Sequence, residues 1–280
     1  MPDSTPHSVT HPTASSPAPV VSVRVERWQS GAVESASDEV ADERPIALKY
    51  LGVPHVVMLA TPSDLEDLAV GFTLSEALVA SADEIRAVEV RAVNEALEVE
   101  IAITAERFAA LLTRHRNLTG RTGCGMCGAE TLADAIREPP ALAGALTLSA
   151  TELHAALADL SSGQRLNART GSVHAAAWVL PGKGVQLVRE DVGRHNALDK
   201  LIGALVRSKA DLGRGYVIVT SRASYEIVQK AATVGIAAVV AVSAPTAFAI
   251  RSAQEFGITL IGFARPERHV VYAHGERLRP

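Results

Sequence analysis

The chain has almost none of the features that mark a secreted, membrane-spanning or nucleic-acid-binding protein. Cysteine is nearly absent: two in 280 residues, both in a single Cys-x-x-Cys. A disulfide framework is therefore excluded, and a reducing, cytoplasmic compartment is expected. Aromatic residues make up 4% of a chain that is 48% hydrophobic. The core must then be built from Ala, Val, Leu and Ile, which suits an α/β fold better than an aromatic-rich sandwich. No apolar run approaches the roughly 18 residues of a membrane span. The first twenty residues lack the apolar stretch of a secretory leader. Membrane insertion and export are accordingly not expected. Net charge is -4 and the arginines form no runs, so the basic footprint of a nucleic-acid binder is missing. Any phosphate they bind is then expected on a small ligand.

Residues 1–19 carry Pro2, Pro6, Pro12, Pro17 and Pro19 among Ser and Thr and are expected to form a disordered tail. Residues 20–118 read as a small α+β domain with antiparallel strands. Its pattern gives a strand at Val20–Val25, a polar connector through Glu43, and strands Ile46–Tyr50 and His55–Ala60 joined by a turn at Leu51–Pro54. A capping box, Ser63-x-x-Glu66, opens a helix reaching about Val79. Strands near Ile85–Val93 and Leu97–Thr104 and a helix near Glu106–Arg116 follow. Residues 119–148 form a Gly-rich loop and linker, with a short helix near Glu130–Ile136 and a breaker at Pro139–Pro140.

Residues 149–280 read as an α/β domain. A second capping box, Ser149-x-x-Glu152, starts a helix with Gly163 as its C-cap. The hairpin Val173–Leu180 and Val185–Glu190 turns through Pro181–Gly184. Helices at His195–Lys209, Tyr225–Val234 and Pro245–Phe256 then alternate with strands at Tyr216–Thr220, Ala238–Val242 and Ile258–Phe263. Such alternation predicts a parallel sheet with right-handed crossovers.

Three constellations carry chemistry. In Gly120-Arg-Thr-Gly-Cys-Gly-Met-Cys-Gly128, four glycines in nine residues exclude a stable helix or central strand. A zinc knuckle here would lack its second cysteine pair and would need His115 or His174. A redox dithiol should lie between a strand and a helix, and a buried thiol pair sits badly among polar, flexible flanks. A nucleophilic thiol on a mobile arm fits the composition better, with Arg121 favouring the thiolate. Cys124 would be the nucleophile and Cys127 a resolving or shielding partner.

The second constellation is Arg189-Glu-Asp-Val-Gly-Arg-His-Asn-Ala-Leu-Asp-Lys200. Its residues could be simple helix caps, but so many ionisable groups beside an apolar strand point to a polar site. The third is a pair of hydroxyl-rich turns, Ser221-Arg-Ala-Ser224 and Ser243-Ala-Pro-Thr246, each leading from a strand into a helix. Capping explains either alone; two side by side, with Arg222, predict a phosphate-binding crevice beyond the strand ends. The last strand runs into Phe263-Ala264-Arg265-Pro266-Glu267-Arg268, where Phe263 can stack on a base and Arg265 and Arg268 can meet phosphates.

Together these residues resemble the FdhD family of formate dehydrogenase accessory sulfurtransferases, from about residue 20 to the end. The resemblance rests on Met58-Leu-Ala-Thr-Pro62 with Asp64, Glu66, Asp67, Gly71 and Phe72, and on Thr122-Gly-Cys-Gly-Met-Cys-Gly128. It includes Thr170-Gly-Ser-Val-His174, Glu190 through Lys200, Ser221-Arg-Ala-Ser-Tyr-Glu226 and Ser243 through Thr246. It implies a sulfurtransferase that receives sulfur from a cysteine desulfurase. The recipient would be the molybdenum bis(molybdopterin guanine dinucleotide) cofactor of formate dehydrogenase, bound as substrate, with GDP as a fragment of it. By matched position Cys124 carries the persulfide, and Phe263–Arg268 belongs to the cofactor-binding stretch together with Arg222. The fold implied is a cytidine-deaminase-like three-layer C-terminal domain beside the smaller N-terminal one, without deaminase chemistry. The zinc deaminase pattern needs a His-x-Glu, and Val173-His174-Ala175-Ala176 has no Glu. No metal site is expected, and a homodimer suits a protein that meets two partners. A cofactor-holding chaperone without a sulfur step, or a thiol-disulfide oxidoreductase, would be the alternatives. Two departures fall in the first domain: Leu51-Gly52 where Asn-Gly is expected, and Glu76-Ala77 where Glu-Gly is expected.

Overall fold

A computed structural model describes residues 17–116, 139–142 and 146–280 of the chain. Cys124, Cys127, Arg121 and the helix expected at Glu130–Ile136 lie outside the described residues, as does the expected tail up to residue 16.

The first element is a two-stranded ribbon, β1 (Val20–Gln29) and β2 (Ala32–Ala41), paired from Val20 opposite Ala41 to Gln29 opposite Ala32. The stretch expected to be a polar connector is therefore mostly strand. Its Ser, Glu, Asp and Ala give no apolar alternation, so the usual strand signal is missing. The turn sets the register instead: Ser30 and Gly31 have φ of 51° and 82°, the left-handed pair that suits a tight hairpin.

A four-stranded sheet follows, in the order β4-β3-β6-β5, from β3 (Arg44–Tyr50), β4 (Val53–Ala60), β5 (Ile85–Val93) and β6 (Ala96–Ile103). It is mixed rather than antiparallel, because β3 and β6 pair in parallel. Helix α1 (Leu65–Ser75) covers it, burying Leu65, Leu68 and Leu74 against Ile46, Leu48, Val99 and Ile101. Helix α2 (Ala105–Arg116) adds Leu111 to the same core. The capping box expected at Ser63 does not form. Asp64 is the N-cap, with no side-chain cap bond, while Glu66 is drawn off to Arg207. Tertiary ion pairs have outcompeted local capping.

The two departures noted in the sequence coincide with left-handed backbone. Leu51 has φ 47° in the β3–β4 turn, and Ala77 has φ 48° just past α1. There Ala77 N–H donates to Leu74 O and Leu78 N–H to Thr73 O, the bonding of a Schellman motif whose left-handed residue is usually Gly. A side chain with a Cβ costs about 1–2 kcal/mol in this conformation. Leu51→Asn and Ala77→Gly should each raise stability by about 0.5–1 kcal/mol, read as a higher urea midpoint. A lower midpoint for Ala77→Gly would mean that glycine's unfolded-state entropy outweighs the strain relieved.

The second half contains helix α3 (Ala150–Gly163), short helix α4 (Arg165–Thr170) and the hairpin β8 (His174–Leu180) and β9 (Gly184–Asp191). Ser149 caps α3 as expected, accepting from Glu152 N–H at 3.4 Å. The Glu152 carboxylate accepts from Gly182 N–H in the β8–β9 turn, and the C-cap is Gln164, not Gly163. Helices α5 (Arg194–Arg207), α6 (Tyr225–Thr233) and α7 (Ala247–Phe256) alternate with β10 (Tyr216–Val219), β11 (Ala238–Ala241) and β12 (Thr259–Arg265). A strand not expected from the sequence, β13 (Arg268–Ala273), folds back antiparallel to β12. Its run His-Val-Val-Tyr lacks clean alternation. Two-residue strands β7 (Leu148–Ser149) and β14 (Leu278–Arg279) pair separately.

The main sheet has the order β13-β12-β11-β10-β8-β9. Its centre, β10 to β12, is parallel as expected, and antiparallel strands flank it on both sides. Helices α5, α6 and α7 cover one face through Leu198, Leu201, Ile227, Val228, Ala249 and Phe256. Helix α3 covers the other with Leu153, Leu157 and Leu160 against Ile218, Val240 and Ile261. These apolar layers leave the strand ends as the open edge.

Helix α1 lies between the four-stranded sheet and α5. The two helix backbones approach so closely that a methyl at Gly71 would sit 1.7 Å from Asp199 O, and one at Gly203 1.9 Å from Asp67 O. Buried charges close the same contact. Lys200, fully buried, meets Asp191 at 2.6 Å and donates to Thr61. Lys230 meets Asp199 at 2.9 Å and Glu76 at 2.8 Å, with Ser75 between. Arg189 and Arg207 both hold Asp67.

Candidate functional site

Four elements end at one edge of the main sheet. Strand β9 stops at Asp191 before α5, β10 runs into Ser221–Ser224 before α6, and β11 runs into Ser243–Thr246 before α7. Strand β12 continues past the same line into Phe263. The turns lie side by side: Ser243 N–H donates to Ser221 O at 3.4 Å, Thr246 N–H to Ala223 O at 3.1 Å, and Phe263 N–H to Ser243 O at 3.1 Å. Backbone pairing thus extends beyond the strands and joins the turns along the strand-end edge, the place where open α/β sheets collect ligands in a crevice. Pro245 packs over Gly262, where a methyl would fall 2.7 Å from its ring.

The hydroxyls divide their work. Thr246 caps α7 by accepting from Ala249 N–H at 3.2 Å. Ser224 is the N-cap of α6 without a side-chain cap bond; its Oγ donates to Glu226 Oε2 at 3.1 Å instead. Ser221 is buried and donates to Arg222 O. Arg222 is exposed at the turn.

The hairpin β12–β13 places the sequence-predicted residues as follows. Phe263 sits at a break in register with φ 49° and is 48% exposed. Arg265 is exposed and donates to Val242 O and Ala264 O, which ties it to the end of β11. Arg268 pairs opposite Arg265 across the turn made by Pro266 and Glu267, and all three are exposed. Ala264 is 1% exposed and faces the α3 layer, so it offers backbone only. On the far side of the hairpin, His269 Nδ1 meets His154 Nε2 of α3 at 2.9 Å.

The constellation Arg189–Lys200 splits in two. Arg189, Asp191, Asn196, Asp199 and Lys200 turn toward residues 59–76 and hold α1 and β4 in place. Arg194 and His195 face the strand-end edge. His195 Nε2 lies 2.9 Å from Glu226 Oε2 and 3.4 Å from Ser224 Oγ. The bond from His195 holds the Glu226 carboxyl below its usual range, against a smaller opposing effect of burial. At the start of β8, burial pulls the His174 imidazole down, and nearby Arg194 and His195 push it the same way. Sequence reasoning paired none of His174, His195 and Glu226. They are 21 to 52 positions apart, and only the order of the strands brings them together.

Comparison with known proteins agrees with this architecture. The sequence profile of the FdhD/NarQ family matches residues 41–279. Sulfur carrier protein FdhD of Cupriavidus necator is 49% identical over 255 residues, covering 91% of this chain and 88% of the relative. Sulfur carrier protein FdhD of Xanthomonas euvesicatoria pv. vesicatoria is 50% identical over 271 residues, covering 96% of each. A crystal structure from Desulfotalea psychrophila, described as a formate dehydrogenase accessory protein, superposes with a TM-score of 0.73 at 22% identity. It covers 94% of this chain and all of the other, and shows that the fold is shared. Among the described residues no helix is long and apolar enough to cross a membrane.

Proposed function

The chain belongs to the FdhD/NarQ family, and on that premise we propose that it is a sulfur carrier serving formate dehydrogenase, with the sulfur held as a persulfide on Cys124. The observation that carries the reading is the roughly half-identical sequence of relatives named as sulfur carriers over nearly their whole length. Loading is a thiol exchange. The Cys124 thiolate attacks the terminal sulfur of a cysteine desulfurase persulfide, the donor's S–S bond breaks, and the donor cysteine leaves as a thiolate. Incubation with a cysteine desulfurase and cysteine should add a reducible mass of roughly 32 Da. An unmodified mass under conditions that load a known acceptor would end the reading.

The sulfur passes to the molybdenum bis(molybdopterin guanine dinucleotide) cofactor, which the chain binds as substrate in the cytoplasm. What supports this is the crevice at the strand ends. Helix amides at Ser224 and Thr246 favour phosphate oxygens, Arg222 and Arg268 add charge, and the half-exposed Phe263 offers a face for guanine. A homodimer would present two such crevices to a cofactor with two nucleotides. GDP, a fragment of that cofactor, should bind saturably in calorimetry. Arg222→Ala or Arg265→Ala should weaken it roughly ten- to a hundredfold, since a charge-assisted contact contributes about 1.5–3 kcal/mol. No saturable binding, or parental affinity in both variants, would remove the nucleotide from the proposal.

A further inference from the structure

We propose that Arg194, with the imidazoles of His174 and His195 beside it, forms an oxyanion site for a phosphate-class group at the β9–α5 corner of the crevice. The proposal deepens the reading of the crevice as a cofactor site, and it rests on that reading only for the source of the anion.

Arg194 is the first residue of α5, after the N-cap Gly193. Its Nε is buried from solvent and has no hydrogen-bond partner among the described residues. Neighbouring arginines are not left in this state: Arg189 and Arg207 bond Asp67, and Arg265 bonds backbone carbonyls. A guanidinium cannot shed its charge, and a buried donor without an acceptor is costly to leave unmade.

Among the described residues, no carboxylate at this corner is free to supply the acceptor. Glu226 is held by His195 and Ser224. Asp191 is held by Lys200, Thr61, Asn196 and Gly193 N–H. Neither carboxylate is left over to accept from Arg194 Nε. Burial holds His174 below its usual range, Arg194 and His195 add to this, and Asp191 opposes them. An anion would satisfy Arg194 and relieve His174 together. The first-turn amides of α5, which lack intrahelical partners, lie on the same corner. A guanidinium, two imidazoles and backbone amides exceed what the two oxygens of a carboxylate can accept, and suit a phosphate's three.

The test follows imidazole resonances by NMR while pyrophosphate is titrated into the full chain. In the parent, saturable binding should raise the titration midpoint of His174. Arg194→Gln should weaken pyrophosphate roughly ten- to a hundredfold and raise the His174 midpoint even without anion. Arg194→Lys, which keeps the charge but not the fork, should recover part of the affinity. Unchanged affinity in Arg194→Gln, or a silent His174 in the parent, would overturn the site. Parallel titrations with GDP separate the sources: tighter binding of GDP identifies a nucleotide phosphate, and equal binding identifies the free diphosphate, either with this site intact. Pyrophosphate binding that depends on Arg194, with no GDP binding, would remove the nucleotide reading and keep the site. GDP binding indifferent to Arg194→Gln would do the reverse.

Discussion

Cys124→Ala is expected to abolish persulfide loading, leaving the mass of the chain unchanged after incubation with a cysteine desulfurase and cysteine. The ground is chemical. Only a thiolate attacks the outer sulfur of a donor persulfide at a useful rate, and the chain offers two thiols in all, Cys124 and Cys127. Arg121 stands three residues before the first in the sequence, and a cation near a cysteine favours the thiolate. Glycines stand at 120, 123, 125 and 128 beside the pair in the sequence. Cys127→Ala should retain loading at a reduced rate, because a resolving or shielding thiol is not the acceptor. Peptide mapping of the parent locates the sulfur. If Cys127→Ala lost all loading and Cys124→Ala kept it, the two roles would have to be exchanged.

Lys230→Met is expected to cost about 3–5 kcal/mol, the usual penalty for removing one partner of a buried ion pair, out of a total stability of about 5–15 kcal/mol. Lys230 is 4% exposed. Burial works against its charge, yet the carboxylates of Asp199 and Glu76 outweigh it and keep the ammonium protonated beyond the ordinary lysine range. Asp199 shifts upward because burial outweighs the help of Lys230 and Ser75. One cation thus serves two carboxylates, and its loss leaves the buried Asp199 carboxyl without its partner and without water. The ring of Phe72, 5.2 Å from Nζ, loses its cation as well. The double variant Lys230→Met/Asp199→Leu should recover most of the loss, since Glu76 keeps some access to solvent. Urea denaturation reads both variants. A loss under about 1 kcal/mol for Lys230→Met, on the scale of a surface ion pair, would show that the cluster does not hold the two helices together.

How far the sequence could be read depended on whether a residue's partner was local. The alternation of apolar strands and amphipathic helices from Tyr216 to Phe256 is a local signal, and β10, α6, β11 and α7 followed it. So did the crevice turns, because Ser and Thr at the ends of parallel strands carry their meaning in place. Strand β2 was hidden because it faces water on both sides and needs no apolar period. The charged run from Arg189 to Lys200 was visible as dense in polar groups, but its division was not. One clue lay within it: adjacent residues of a helix, such as Asp199 and Lys200, point in different directions and cannot serve each other. Each must be satisfied from elsewhere in the chain, and both are satisfied at α1 and its neighbours. The pairing of His195 with Glu226 left no trace in spacing, since β-sheet order alone decides it.

The glycine crossing of α1 and α5 also has a mechanical meaning. Helices separated by intervening side chains can slide as those side chains change rotamer; here the main chains touch at Gly71 and Gly203, and no layer is left to shear. Helix α5 is therefore seated on α1 without play, and Arg194 and His195 at its N-terminal end inherit that fixed position.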